Sequence, residues 1–392
     1  MTVTIHPFPA RMAPELALKA LALVPEGGVV LDPMVGSGTV IRQASDLGRQ
    51  AIGFDMDPLA VLMSRVWTTP VEDLCIEEIY SHARGLALSA DPKALELPWI
   101  DEDEETRGFI KYWFGKPQSE ALRCWAWAIT SLAASATPRE AAALDVIRIA
   151  LSRIIVSKEQ CASLARDTSH SRPHKVTDET DYCVHEGLDR SLKTVRKRLR
   201  CAPPTAGAEV RLGDARHLDL KDCSVDAIVT SPPYLNAIDY MRGHRLSLVW
   251  LGHTLSGLRR IRSGSIGAER APDVGKTVQE EVKMVLGKLD GLPRRHLSMV
   301  DRYITDVLDI AREIRRVLKP GGTVTLVVGN SCLKGVFIKN SAVVSKALEL
   351  QGLTCVDESV RDLPSQSRYL PTAAGSPLTN RMRQETVLKL VA

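Results

Sequence analysis

Little in this sequence suits a secreted, metal-holding or membrane-bound protein. Eight cysteines are scattered from Cys75 to Cys355, with no Cys-x-x-Cys pair and no Cys/His cluster at metal spacing. A zinc site and a disulfide framework are both disfavoured, and reduced, mostly buried thiols are expected. No uncharged apolar run approaches the ~18 residues of a membrane-crossing helix. The opening MTVTIHPFPARMAPELA has neither a charged leader nor a long apolar stretch, so a cytoplasmic protein without a secretory signal is expected. Internal repeats and long low-complexity segments are missing too. The composition, 44% apolar and 25% charged over 392 residues, is that of a soluble globular chain of one large or two ordinary domains.

The strand and helix signals fall into an interrupted α/β pattern. VVLDPMVGSGT (29–39) reads as strand, Gly-rich loop and helix start, TVIRQASDLG as an amphipathic helix, and QAIGFDMDP as a second strand ending in acids. That order opens a Rossmann-like βαβ unit. The third strand is delayed. Residues 71–204 read as a mostly helical insertion, with a polar stretch LARDTSHSRPHKVTDETDY and a basic helix RSLKTVRKRLR (190–200) near its end. EVRLGDA and VDAIVTSPPY then read as strands three and four, TVTLVVGNS as the fifth, and LTCVDESV and ETVLKLVA as the last two. The expected division is an α/β domain over 1–70 and 205–392 with the helical insertion over 71–204 and a further separate segment at 255–300.

The Gly-rich loop narrows the cofactor. A P-loop needs Gly-Lys-Ser/Thr, and no lysine follows; a dinucleotide fingerprint needs a third glycine where Ile41 stands. S-adenosyl-L-methionine remains, since it needs close backbone approach but no pyrophosphate cradle. Asp32 ends the first strand, Asp55 the second, at the spacing where an acid bonds ribose hydroxyls, and Asp214 the third, where it could accept from the adenine amino group. Asp57, past the strand edge, is the weaker ribose candidate. A tight structural turn is the alternative for the glycines alone; three acids at three strand ends weigh against it.

TSPPYLNAIDY (230–240) stops a buried strand on two prolines, which cannot continue a ladder. A rigid turn at a strand's C-terminal end is where open α/β sheets bind ligands. Clumped Lys/Arg in 190–200, LRRIR (258–262) and PRRH (293–296) suits a polyanionic partner, with a solvated helix face as the equal alternative. His244, His253 and the six tryptophans are expected to be structural, and Asp239 and Tyr240 to shape a pocket or pack under the turn.

Together, DPMVGSGT and TSPPY resemble the cofactor and catalytic motifs of the exocyclic-amine DNA methyltransferases, although Met34 stands where phenylalanine is commonest. HPFPARMAPEL resembles their N-terminal cofactor-contacting segment, RRVLKPGG their helix-to-strand turn, and RDLPSQSRYLP…RMRQETVLKL the C-terminal part of bacterial modification methylases. The resemblance covers residues 1–65 and 208–392 and is weak over the insertion. The cofactor motif precedes the catalytic one, whereas many cytosine-N4 enzymes have the reverse order.

The resemblance implies a Rossmann-like methyltransferase fold, a mostly parallel seven-stranded sheet with helices on both faces and a helical insertion. It implies methyl transfer from S-adenosyl-L-methionine to an exocyclic amine of a flipped base in a specific duplex sequence, with no covalent enzyme intermediate. Serine at the first catalytic position points to cytosine N4; adenine N6 is the alternative. RNA guanine-N2 methylation and non-catalytic DNA binding are further ones. The expected catalytic residues are Ser231, Pro232, Pro233 and Tyr234, the first two as acceptors for the amine and Tyr234 as a stacking platform. Cofactor candidates are Asp32, Pro33, Gly36, Gly38, Thr39, Asp55, Asp214 and Arg11. With 1–70 and 205–392 as the catalytic domain, the insertion 71–204 is a candidate DNA-recognition region and 255–300 a second target-recognition segment; DNA-contact candidates are Arg196, Lys197, Arg198, Arg200, Arg259, Arg260 and Arg262. No metal is expected; double-stranded DNA and a cognate restriction endonuclease are the expected partners.

Overall fold

A computed structural model describes residues 4–8, 11–167, 173–235, 239–265, 276–287, 289–363 and 384–392. The loop SHSRPHK, the tail of LRRIRSGSIGAER, residues 236–238 of the proline-turn segment and the span 364–383 therefore lie wholly or partly outside the described residues.

The chain opens with α1 (Pro14–Leu21), β1 (Val29–Asp32), α2 (Thr39–Asp46), β2 (Gln50–Asp55) and α3 (Pro58–Thr68). Six helices and a two-strand ribbon follow: α4 (Asp73–Ser89), α5 (Pro98–Asp101), α6 (Glu104–Trp113), α7 (Lys116–Ala133), α8 (Pro138–Arg153), β3 (Ala165–Arg166), β4 (His174–Lys175) and α9 (Val184–Cys201). The sheet resumes with β5 (Glu209–Leu212) and β6 (Val225–Thr230). Then come α10 (Met241–Leu248), α11 (Leu255–Gly264), α12 (Lys276–Met284), α13 (Arg294–Val317), β7 (Leu318–Gly329), β8 (Ser331–Leu333), β9 (Val336–Ile338), α14 (Asn340–Glu349), β10 (Thr354–Asp362) and β11 (Gln384–Val391).

Local chemistry sets these boundaries. Asp57 caps α3 by accepting from Leu59 N, with Pro58 in the first turn, where a missing N–H costs nothing. Thr137 and Glu140 form a reciprocal capping box on α8. The helix α13 gives way at Val317, three residues before Pro320.

Seven strands form one sheet in the order β10-β11-β7-β6-β1-β2-β5. Every neighbour is parallel except β11, which runs antiparallel to both β7 and β10. The expected mostly parallel, Rossmann-like fold is what the chain adopts. Its chain order reverses between β1 and β6, so the crevice beyond their C-terminal ends is the topological switch point. Asp32 and Thr230 occupy those two ends. No helix among the described residues is long and apolar enough to cross a membrane.

The helices inserted between β2 and β5 do not stand apart. Trp125, Leu144, Ile147 and Leu188 of the insertion share one apolar cluster with Leu59 and Met63 of α3 and with Leu246 and Leu258 of α10 and α11. The insertion also grips the N-terminal segment. Ser152 meets His6 Nε2 at 2.9 Å, Arg153 donates to Ile5 O at 2.7 Å, and Arg198 donates to Thr4 O. Trp125 and Trp250 are buried, as expected of core tryptophans.

Arg42, in the first turn of α2, fastens the insertion's exit to the sheet. Its guanidinium donates to Asp46 Oδ2, Trp67 O, Ala202 O and Pro203 O at 2.7–3.1 Å and lies 4.7 Å from the Trp67 ring centroid. Arg42→Ala leaves three carbonyls without that donor in a nearly dry site. A loss of about 3 kcal/mol in urea unfolding is expected. Arg42→Lys, a point charge without the planar fork, is expected to recover only part of it.

Candidate active site

The loop from β1 to α2 is shaped by two glycines in left-handed conformations, Gly36 at φ 52° and Gly38 at φ 84°. A Cβ on Gly38 would sit 3.0 Å from Ser64 Oγ and 3.1 Å from Ser64 Cα; one on Gly36 would meet the Phe8 ring at 3.4 Å. Ser64 in turn donates to Gly36 O at 3.0 Å. Helix α3 therefore props the loop from below, and Phe8 lies beside it.

Asp55, half-buried at the end of β2, accepts from Gly36 N through Oδ2 and from Asp57 N through Oδ1, both at 2.9 Å. A carboxylate has about four lone-pair sites, so acceptor capacity remains for a pair of hydroxyls. Burial, reinforced by the neighbouring Asp57 carboxylate, pushes the Asp55 pKa up to about 6. Asp32 is buried at the end of β1 and accepts from Thr230 Oγ1 at 2.6 Å and from Met34 N at 3.2 Å. Burial raises its pKa to about 7, although the Thr230 hydroxyl pulls the other way.

Asp214 lies two residues beyond the end of β5, and Arg216 holds it. Burial works against its charge, but the Arg216 fork and backbone N–H bring its pKa below the ordinary carboxylate value. Arg216 also donates to Asp306 Oδ1 and to Gly264 O, both at 2.6 Å, joining the cofactor edge to α13 and the end of α11. Arg11 donates to His6 O at 2.7 Å. With Ser37, Thr39 and His6 it lines a cleft of about 290 Å³ between the N-terminal segment and the first turn of α2. A cation facing a helix N-terminus suits a carboxylate.

The proline turn follows Thr230 directly. Pro232 and Leu235 are buried, Pro233 and Tyr234 half-buried, and Ser231 exposed. The Ser231 hydroxyl donates to Val327 O of β7 at 2.9 Å. Its proton is thus directed into the sheet, which leaves the oxygen lone pairs for another donor.

Several residues of this region carry no local sequence signal. Asp57 Oδ2 meets the buried His244 Nδ1 at 2.5 Å, so the residue set aside as a ribose acid bonds a histidine of α10. Phe8 stacks on Tyr240 with centroids 4.8 Å apart, and Tyr240 on His244 at 6.1 Å. Asp57 before Pro58 has the form of a helix cap, the one hint available; the His244, Phe8 and Tyr240 contacts join residues far apart in sequence.

The basic residues divide. Arg196 forms a two-bond fork with Asp73 at 2.7 Å and reaches Glu77 at 3.0 Å, and Arg198 is turned to Thr4 O. These two serve the fold. Lys197 and Arg200 are exposed on α9, Arg200 with a 3.4 Å contact to Asp73. On α11, Arg259 pairs with Glu105 and Arg262 with Asp239, while Arg260 is exposed with no ion-pair partner among the described residues. The C-terminal end of α11 adjoins Met56 at the edge of β2, so this helix borders the crevice.

Residues 4–64 match the DNA methylase family of N6/N4 type. The chain is 22% identical over 427 residues to the Type II methyltransferase M.MvaI of Kocuria varians, spanning 100% of this chain and 91% of that protein. It is 24% identical over 381 residues to the Type II methyltransferase M.BsoBI of Geobacillus stearothermophilus, spanning 83% and 72%. Among solved structures, TrmN from Thermus thermophilus overlaps 97% of this chain and 49% of its own, at 12% identity and a TM-score of 0.33. The N6/N4 DNA methylase match covers residues 4–64, the likeness to the two Type II methyltransferases extends over most of the chain, and S-adenosyl-L-methionine goes with it as cofactor. The Gly36–Gly38 cradle, the spare acceptors of Asp55 and the Arg11 cleft fit its backbone, ribose and carboxylate.

Ribose hydroxyls donating to Asp55 would favour its ionised form. Cofactor affinity is therefore expected to fall as pH drops through about 6, approaching ~10-fold per pH unit below it. Calorimetric titration with S-adenosyl-L-methionine from pH 5 to 8 checks this, and Asp55→Asn should bind weakly with a flat profile. The ligand-free fold has the opposite sign. A raised carboxyl pKa means stability is lost as pH rises through the same window.

Proposed function

We propose that this chain methylates an exocyclic amine of a base in duplex DNA, with cytosine N4 as the preferred target and adenine N6 as the alternative. One observation carries the reading: the Thr230–Asp32 hydrogen bond fastens the proline turn to the cofactor loop, so methyl donor and acceptor share one edge. S-adenosyl-L-methionine supplies the electrophilic methyl group when bound.

The chain's residues act on the other reactant. An exocyclic amine is a poor nucleophile because its lone pair is delocalised into the ring. Ser231 Oγ, its own proton directed to Val327 O, accepts one N–H. The Pro232 carbonyl, fixed in direction by the prolines, accepts the other. Two acceptors around the nitrogen localise its lone pair and take up its developing positive charge, and their orientation is set before the reaction. Tyr234 stacks on the extruded base, which offsets part of the few kcal/mol that flipping costs. Among the α9 and α11 candidates, Lys197 and Arg260, exposed and without ion-pair partners among the described residues, and the exposed Arg200 and Arg259 serve to meet phosphates. Serine rather than aspartate at position 231 favours cytosine, and the Type II relatives favour a specific site with a cognate endonuclease.

Transfer of labelled methyl groups to unmethylated mixed-sequence DNA, followed by nucleoside mass spectrometry, tests the reading. N4-methylcytosine is expected. Product found only as N6-methyladenine would overturn the base assignment, and transfer to tRNA but not DNA the substrate class. Ser231→Ala should lower turnover on the order of 100-fold while leaving cofactor affinity unchanged.

A further inference from the structure

Beyond the end of β7, the chain folds back on itself as the antiparallel ribbon β8–β9, pairing Ser331 with Ile338 and Leu333 with Val336. Its tip, Lys334-Gly335, has positive φ at both residues (50° and 87°), the geometry of a tight two-residue hairpin turn. One side is anchored. Leu333 and Ile338 are buried in the same apolar cluster as Leu235, the residue after Tyr234. Asn340, fully buried, donates to Gly329 O at 3.0 Å and Ser331 Oγ at 3.1 Å, tying the ribbon's base to the strand end. The other side is open, and Phe337 is 57% exposed there.

We infer that this ribbon is a DNA-engaging wedge, with Phe337 entering the base stack beside the step from which the target base is extruded. The inference rests on the function proposed above and adds the surface that opens the duplex. Three observations point to DNA as the occupant. The ribbon springs from β7 four residues after Val327, whose carbonyl holds the Ser231 hydroxyl, so it stands at the edge the base must reach. Residues 330–348 contain no acid, and Lys334 and Lys339 bracket Phe337 in sequence without ion-pair partners among the described residues. A two-stranded ribbon fits a DNA groove, and an exposed phenylalanine on a rigid support is the kind of side chain that unstacks a base step. A lone surface aromatic needs no explanation; one on a braced ribbon between two unpaired lysines at the catalytic edge has one.

The test uses the full chain, tritiated-methyl transfer to unmethylated mixed-sequence duplex DNA, and calorimetry with S-adenosyl-L-methionine. Phe337→Ala should raise KM for DNA roughly ten-fold with cofactor affinity unchanged, and Phe337→Trp should restore it. The double variant Lys334→Glu/Lys339→Glu should reduce the salt dependence of DNA binding by up to ~2 slope units. An unchanged KM in Phe337→Ala, a loss in Phe337→Trp as large as in Phe337→Ala, or an unaltered salt slope overturns the inference. If the wild-type chain transfers no methyl to DNA, the proposed function fails instead. Anisotropy with the same duplex then decides the ribbon, and equal affinities for wild type and Phe337→Ala overturn it.

Discussion

The 2.6 Å hydrogen bond from Thr230 to Asp32 is the contact on which the working edge of the sheet depends. Both residues are buried, and each ends a strand on its own side of the switch point. In such a site an unpaired carboxylate is costly, so donor and acceptor hold one another in place. The Gly-rich loop starts immediately after one partner and the proline turn immediately after the other. Their separation is therefore set by the pairing of β1 with β6 and by this short bond at its end.

The inserted helices take part in the same edge. His6 and the carbonyls of Thr4 and Ile5 are held by Ser152, Arg198 and Arg153, and this places Phe8 beside Gly36 and under Tyr240. From the other direction His244 on α10 bonds Asp57, the cap of α3, one residue beyond Met56 and two beyond Asp55. The residues around Gly36 and Asp55 thus share an aromatic stack and a buried His244–Asp57 hydrogen bond. The inserted helices thereby buttress the same end of the sheet.

Much of this was legible in the sequence wherever the signal was local. Glycines with no tolerable Cβ, prolines ending a buried strand, and acids at strand ends are readable without partners, and the seven strands fell where the apolar runs lay. Long-range pairing was not readable. Arg196 and Arg198 belong to a run of six basic residues, yet the acids that neutralise Arg196 stand on α4, more than a hundred residues earlier. Asp214 follows a strand signal as expected, but Arg216, which occupies it, also pairs with Asp306 of α13, ninety residues on. The sequence likewise gives no sign that the Ser231 hydroxyl donates to the Val327 carbonyl of the neighbouring strand.

The place of the insertion also bears on how the chain reaches this state. The pairing of β2 with β5, Ile52 opposite Glu209, closes a loop of about 150 residues. An unstructured loop of that length pays its closure entropy before any ladder bond rewards it, and non-local pairings are slow for that reason. Here the loop is filled by helices that pack chiefly on one another, and Arg42 grips both its start at Trp67 and its exit at Pro203. Collapse of the helical layer shortens the search, and β5 can dock onto an edge already within reach.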